Sequence, residues 1–545
     1  MKSPQSIGSY LIHRLHAHGV RHVFGIPGDY VLSFYDLLQR SPLRIVNTCD
    51  EQGAGFAADA YARVRGLGAV CVTYCVGGLK VANPIAGAFA EKSPVVVISG
   101  APGIGERARD PLLHHKVREF DTQRRVFEQL TVASAVLADP QTALAEIDRV
   151  LHAALRFKRP VYLELPRDRV TVPGLPHHRP GNGAEPSDRR SLRAAVAEAA
   201  AKINAARNPV ILADVEVHRF HLQDLVLRLA RRSHLPVAAT LLGKSVIGEQ
   251  HPFYLGVYEG ALGRPEVRRH VENSDCLVLL GAFLTDINLG VFTARLDPAR
   301  SIYATSEKIA VGLHNYENVR FEDFLAALAR APFRRRTLPR FAHPRPAALG
   351  PLRPLRAPLT VRRLFARLDA FLTPEIVVVA DVGDALFGAA DLFIPGRTEF
   401  LGPAYYTSMG FAVPAGIGAQ MADRQKRPLV LVGDGAFQMT GLELAAAVRH
   451  GLNPIVVVLN NRGFGTERPM QDGPYNDVAA LRYHQLPALL GAGRGVLVRT
   501  DAELAAALAA AKDYTASFFL IEAELEPNDR SPALQRLTAR LAKRV

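Results

Sequence analysis

Apolar residues in this chain come in short unbroken runs instead of alternating with polar ones. AVCVTY (69–74), SPVVVISG (93–100), NPVILAD (208–214), CLVLLGA (276–282), EIVVVAD (375–381), PLVLVGD (428–434) and PIVVVLNN (454–461) are the clearest. A strand apolar on both faces belongs in a parallel sheet covered by helices on both sides. Alanine-rich stretches of helical pattern separate the runs, so the expected fold class is α/β, as three doubly wound parallel-sheet domains. Two breaks rich in Pro, Gly and Arg divide the chain, one at 172–190 and one at 331–358. The expected domains are 1–175, 190–330 and 359–545, with 331–358 as a Pro/Arg-rich linker.

A length of 545 residues agrees with three domains. No apolar segment reaches the ~20 residues of a membrane helix, and the N-terminal residues lack the apolar core of a signal peptide. Four cysteines, Cys49, Cys71, Cys75 and Cys276, are too few for a disulfide framework and form no paired zinc pattern. The expected location is the cytoplasm, with no membrane partner. The net charge of +14 would suggest nucleic acid, but residues 330–358 carry eight arginines and no acid, over half of the excess. Interleaved prolines make that stretch an extended solvated linker; a polyanion-binding strip is the alternative, and no nucleic-acid partner is expected.

The chemistry concentrates in two stretches, GDGAFQMTG (433–441) and LNNRGFGTE (459–467). Val430–Val432 and Ile455–Leu459 read as successive strands joined by the helix LELAAAVRHG, with Gly451 at its C-terminal end. A right-handed strand-helix-strand unit returns both strand ends to one sheet edge, where open α/β sheets bind ligands. Asp434 and Asn461 then sit side by side. Gly433, Gly435 and Ala436 offer backbone amides to an anion. The Asp434 carboxylate, the Asn461 amide oxygen and a free Gly463 carbonyl make a partial all-oxygen shell, the kind magnesium accepts when phosphates complete it. A GDG triplet alone could be a mere tight turn; the NN pair on the same edge favours the cradle. A dinucleotide fingerprint is excluded because Gln438 stands where its third glycine belongs, and no P-loop occurs.

GDG…NN resembles the thiamine diphosphate motif. FGIPGDY, CDEQGAGFAADAYAR, NPIAGAFAEKSPVVVISGAP, LLHH, NPVILAD, YYTSMGFAVPAGIGAQ and NNRGFGTERPM extend the resemblance over nearly the whole chain. The chain resembles the thiamine diphosphate-dependent 2-oxo acid decarboxylases, closest to the indolepyruvate and phenylpyruvate branch. The resemblance implies a pyrimidine-binding first domain, a scaffold middle domain and a diphosphate- and metal-binding third domain. It also implies active sites built between subunits, hence at least a homodimer, commonly a homotetramer. The implied reaction turns a 2-oxo acid into aldehyde and CO2 through a cofactor enamine, with carboligation as a side reaction. The implied cofactors are thiamine diphosphate and Mg2+.

By the same resemblance Glu51 faces the pyrimidine, and Gly383, Thr407 and Met409 hold it, Met409 as the wedge that keeps the cofactor bent. Asp29, His114, His115 and Glu467 are the polar cluster over the reacting carbon. Glu467 is expected beside the substrate carboxylate, with Asp29 and His115 as proton relay and His114 positioning them. Without the resemblance each reads more plainly: a first-turn acid, a turn aspartate, exposed histidines, a surface glutamate. The implied substrate pocket is Thr73, Ile287, Val382, Leu386, Phe464 and Thr466, wider at Ile287 than in pyruvate-specific relatives.

Three positions depart from the family pattern. Cys75 replaces a usual glycine and is expected to narrow or oxidise the site. Lys80 is foreign to its apolar segment. Asp384 stands where a hydroxyl often meets the diphosphate, so that contact is not carried over. LADVEVHRF has no cysteine, so thiol-based activation is not expected. The rival activities are an acetohydroxyacid-synthase-like carboligating synthase or a flavin-containing oxidase, which generally lack the His-His pair. A non-catalytic protein that retains the fold is disfavoured by Glu51, Asp434, Asn461 and Glu467 together.

Overall fold

A computed structural model describes residues 5–175, 186–341, 352–396 and 398–542. Parts of both Pro/Arg-rich breaks, 176–185 and 342–351, lie outside these residues. All seven apolar runs are interior strands of the three sheets, where a strand has neighbours on both sides and both of its faces are covered.

In the first sheet the spatial order is Arg44–Asn47, His22–Gly25, Gly68–Val72, Val95–Ala101, Val161–Pro166 and Ser134–Val136, all parallel. The second has parallel strands around Pro209–Ala213 and Cys276–Leu280 but ends in an antiparallel hairpin, Ile309–Val311 and His314–Tyr316. Gly312, at φ +56°, opens its two-residue turn. The third sheet is wholly parallel and runs Phe400–Leu401, Ile376–Ala380, Arg427–Gly433, Ile455–Asn460, Phe519–Glu524, Arg494–Val498.

Two compact bodies contain these sheets. One is residues 1–184 with 413–425 and 440–452; the other is 185–412 with 426–439 and 453–545. The second body holds both the second and third sheets, and one apolar cluster joins Val215, Leu241 and Leu262 to Val378, Leu431 and Val457. Among the described residues no helix is long and apolar enough to cross a membrane.

Candidate active site

In the first body, Glu51 owes its place to a tightly tied strand-to-helix junction. Helix Glu51–Arg65 begins after Asp50, whose carboxylate accepts the Gln52 amide at 2.7 Å. From the turn Gly441–Glu443, the Glu443 carboxylate accepts the amides of Cys49 and Asp50 at 2.9 Å each. Gly53 makes room for it, since a Cβ there would lie 2.0 Å from Glu443 Oε1. Burial pushes the Glu443 carboxyl up to about 7. Sequence reasoning missed this residue; the signal was an acid three residues into a glycine-led turn. A carboxyl raised in the folded state adds stability below its ordinary range that is lost as pH rises through about 7. Cofactor-free protein should therefore melt lower at about pH 8 than at about pH 5, and Glu443→Gln should flatten that slope, by ~3 kcal/mol at most. An unchanged slope in the variant's melting curves would reject the assignment.

Asp29, His114 and His115 come together, with one ligand atom from each within 4.8 Å of the others. His114 Nε2 is 2.8 Å from Asp29 Oδ2. Tyr30 stacks on the His114 ring at 4.8 Å and meets His115 edge-on at 5.8 Å. His115 sits at φ +67°, and its Nδ1 is buried without a partner. Arg167, not singled out from sequence, lies 5.0 Å over the Tyr30 ring and 3.7 Å from Asp29 Oδ2. Its signal was an arginine directly after the buried strand Val161–Pro166. Thr73 Oγ1 is also buried and unpartnered. Gly77 passes close to both Thr73 and Glu51, since its Cβ would be 3.2 Å from Glu51 Oε1 and from Thr73 O.

Cys75 occupies a left-handed turn at φ +50°, a conformation natural to glycine. Its thiol is buried and burial raises its pKa, which disfavours the thiolate needed for oxidation.

In the second body, strand Arg427–Gly433 pairs in register with Ile455–Asn460, Gly433 opposite Leu459, so Asp434 and Asn461 leave the same sheet edge. Helix begins at Asp434, earlier than the sequence pattern suggested, and runs to Thr440; helix Leu444–Arg449 follows, and Gly451 stands at φ +61° just past its end. The Asp434 carboxylate is 1 % exposed and accepts the amides of Gly435 at 2.8 Å and Gly463 at 3.1 Å. Burial pushes it up to about 6, opposed by backbone N–H groups. The Gly463 carbonyl is not free as expected: it accepts the Gly465 amide at 3.0 Å, leaving one lone pair. A Cβ on Gly435 would strike Phe464 at 2.6 Å, whereas one on Gly433 would meet nothing within 4 Å. A buried carboxylate whose partners are amides, with a lone pair left on the Gly463 carbonyl and open space at Gly433, fits a divalent ion holding a diphosphate.

Gly383, at φ +93°, faces Thr466, whose Oγ1 would be 3.4 Å from an added Cβ. Thr407 is left-handed at φ +54°, and Met409 is half-buried after it. Asp381, missed in the sequence, steadies that loop by accepting the amides of Gly410 at 3.1 Å and Ala412 at 2.8 Å. Its signal was an acid ending the buried run EIVVVAD. Asp384 turns to the Ser531 amide at 2.8 Å, away from any anion role. Ile287, Val382, Phe464 and Thr466 keep part of their surface exposed. Leu386 does not: it is fully buried in the core, and a Cβ on Gly402 would sit 2.6 Å from its Cδ1. It offers a substrate no surface, which corrects its placement in the pocket. Glu467 is exposed, in the turn after Phe464, and belongs to this second body, whereas Asp29, Glu51, Thr73 and both histidines belong to the first.

Three family models match. They are the N-terminal thiamine pyrophosphate-binding domain of thiamine pyrophosphate enzymes over residues 5–124, their central domain over 196–318 and their C-terminal thiamine pyrophosphate-binding domain over 381–523. Indole-3-pyruvate decarboxylase of Azospirillum brasilense is 41% identical over 532 residues, covering 96% of each chain. An alpha-keto-acid decarboxylase of Mycolicibacterium paratuberculosis is 37% identical over 95% of this chain and 94% of its own. One of Mycobacterium leprae is 36% identical over 98% and 95%.

Proposed function

Because the chain belongs to the thiamine diphosphate-dependent 2-oxo acid decarboxylases, we propose that it acts on 2-oxo acids with large side chains. Phenylpyruvate, indolepyruvate and medium aliphatic acids are the substrates proposed, with aldehyde and CO2 as products and carboligation as a side reaction. The observation that carries the decarboxylase reading at this site is the Asp29–His114–His115 cluster around Tyr30. It supplies adjacent groups able to hold and pass a proton, which release of an aldehyde requires.

When bound, thiamine diphosphate supplies the nucleophilic carbon and the electron sink. The chain's own work is binding and proton handling. Asp434, Asn461 and the Gly463 carbonyl would hold Mg2+, with the amides of Gly433, Gly435 and Ala436 toward the diphosphate. Glu51 would hydrogen-bond the pyrimidine, and Gly383, Thr407 and Met409 would fix that ring. Glu467 receives the substrate carboxylate end, His114 orients Asp29, and Asp29 and His115 relay the proton to the product. The domain limits 1–175, 190–330 and 359–545 go with this reading, as does an assembly of at least a homodimer. Light scattering of the holoenzyme should give a dimer or tetramer; a fully active monomer would reject that assembly.

Thr73, Ile287, Val382, Phe464 and Thr466 are the proposed pocket, apolar apart from two threonines. Ile287 is the position at which that pocket is proposed to be wider than in pyruvate-specific relatives. Each buried methylene is worth roughly 0.8 kcal/mol, about fourfold in transition-state binding. Larger side chains should therefore give higher kcat/KM than the methyl of pyruvate. A panel of 2-oxo acids assayed for aldehyde and CO2, with and without thiamine diphosphate and magnesium, tests this. A ranking with pyruvate clearly first would remove the large-substrate reading, and flavin absorbance in the purified protein would favour the synthase or oxidase alternative.

A further inference from the structure

Lys80 reaches back over the start of the helix that carries Glu51. Its ammonium lies 3.0 Å from Glu51 Oε2 and bonds Asp50 Oδ2 as well. The backbone beneath it is fixed. Gln123 accepts the Cys75 amide at 2.6 Å and donates to Ser99 Oγ and Tyr162 OH at 2.7 Å each, and Gly78 packs directly on it. Only the lysine stem is free to move, and half of that side chain is exposed. Glu51, in contrast, is 13% exposed and has the Gly77 backbone against its other oxygen.

Two demands on Glu51 conflict. Its proposed task requires a proton, and an ammonium beside it favours the carboxylate. The cation has an alternative seat on Asp50, which is itself 44% exposed. We propose that Lys80 is a positioning residue that competes with the cofactor for Glu51: it pins the carboxylate in the cofactor-free protein and shifts to Asp50 alone when the pyrimidine binds and Glu51 takes up a proton. This rests on the assignment of Glu51 to the pyrimidine. The other titratable groups facing this corner are Asp50, Glu443, the Tyr35 phenol and the Cys49 thiol.

The chain has no tryptophan, so calorimetry of thiamine diphosphate with Mg2+ is the readout, run from about pH 5.5 to 8.5 in two buffers of different ionisation enthalpy. Lys80→Gln should bind the cofactor about threefold more tightly than wild type at about pH 8, the size of a half-exposed ion pair. Lys80→Arg should behave as wild type. In a Glu51→Gln background, Lys80→Gln should have no effect. Equal affinities for wild type and Lys80→Gln at every pH, or the same gain in the Glu51→Gln background, would overturn the inference. Proton uptake on binding that persists in Glu51→Gln would overturn the Glu51 assignment itself, and the Lys80 inference with it.

Discussion

Asp434→Ala is expected to weaken binding of thiamine diphosphate with Mg2+ by more than about a hundredfold. Loss of a residue that merely orients a metal ligand costs about 10–100-fold, and here the proposed charged ligand itself is removed. The cofactor-free protein should be much less affected, because two effects oppose each other. The variant loses the acceptor for the Gly435 and Gly463 amides, about 1 kcal/mol each. It also loses a buried carboxylate whose pKa burial has raised to about 6, an unfavourable charge at neutral pH. Asp434→Asn separates the two roles, since it keeps an oxygen for one amide and loses the charge. Both variants should melt near wild type without cofactor and gain little from adding it. Unchanged cofactor affinity by calorimetry in Asp434→Ala would show that the metal cradle lies elsewhere.

That prediction draws on parts of the molecule that the sequence disclosed well. Buried parallel strands write themselves as unbroken apolar runs, so Arg427–Gly433 and Ile455–Asn460 could be found, and chain handedness then set Asp434 beside Asn461. Short strands at sheet edges carry no such signature. The three-residue strands Ile309–Val311 and His314–Tyr316 form an antiparallel hairpin whose main cue is Gly312. Residues that act through tertiary contact were also hidden. Glu443 meets Cys49 and Asp50 across nearly 400 positions, and Asp381 and Arg167 are ordinary charged residues until the loops they hold are known. Leu386 was misplaced for the converse reason: a resemblance gives position but not the side on which a core closes, and Gly402 leaves that side chain room to turn inward. Lys80 was visible as an anomaly in its segment, but only the fold brings it to Glu51.

Glu51→Gln should retain the fold and cofactor affinity within about tenfold, yet lower exchange of the cofactor C2 proton by at least about a hundredfold, the usual weight of one positioned acid or base. The amide matches the carboxyl in shape, so it still fits against Gly77 and the helix that follows. What it forfeits near the N-terminus of helix Glu51–Arg65 is a first-turn charge, worth ~0.3–1 kcal/mol, and one of two partners of Lys80, whose ammonium keeps Asp50. None of this touches the Asp434 cradle, so diphosphate and metal should still bind. The amide has no proton of suitable acidity to exchange with the pyrimidine, and neither Asp50, turned to the Gln52 amide, nor Glu443, committed to the Cys49 and Asp50 amides, is free to replace it. Hydrogen–deuterium exchange at C2, quenched and followed by NMR, isolates this step from substrate binding and product release. Exchange at the wild-type rate in a variant that binds cofactor normally would mean that another group carries the proton, and the assignment of Glu51 would have to be given up.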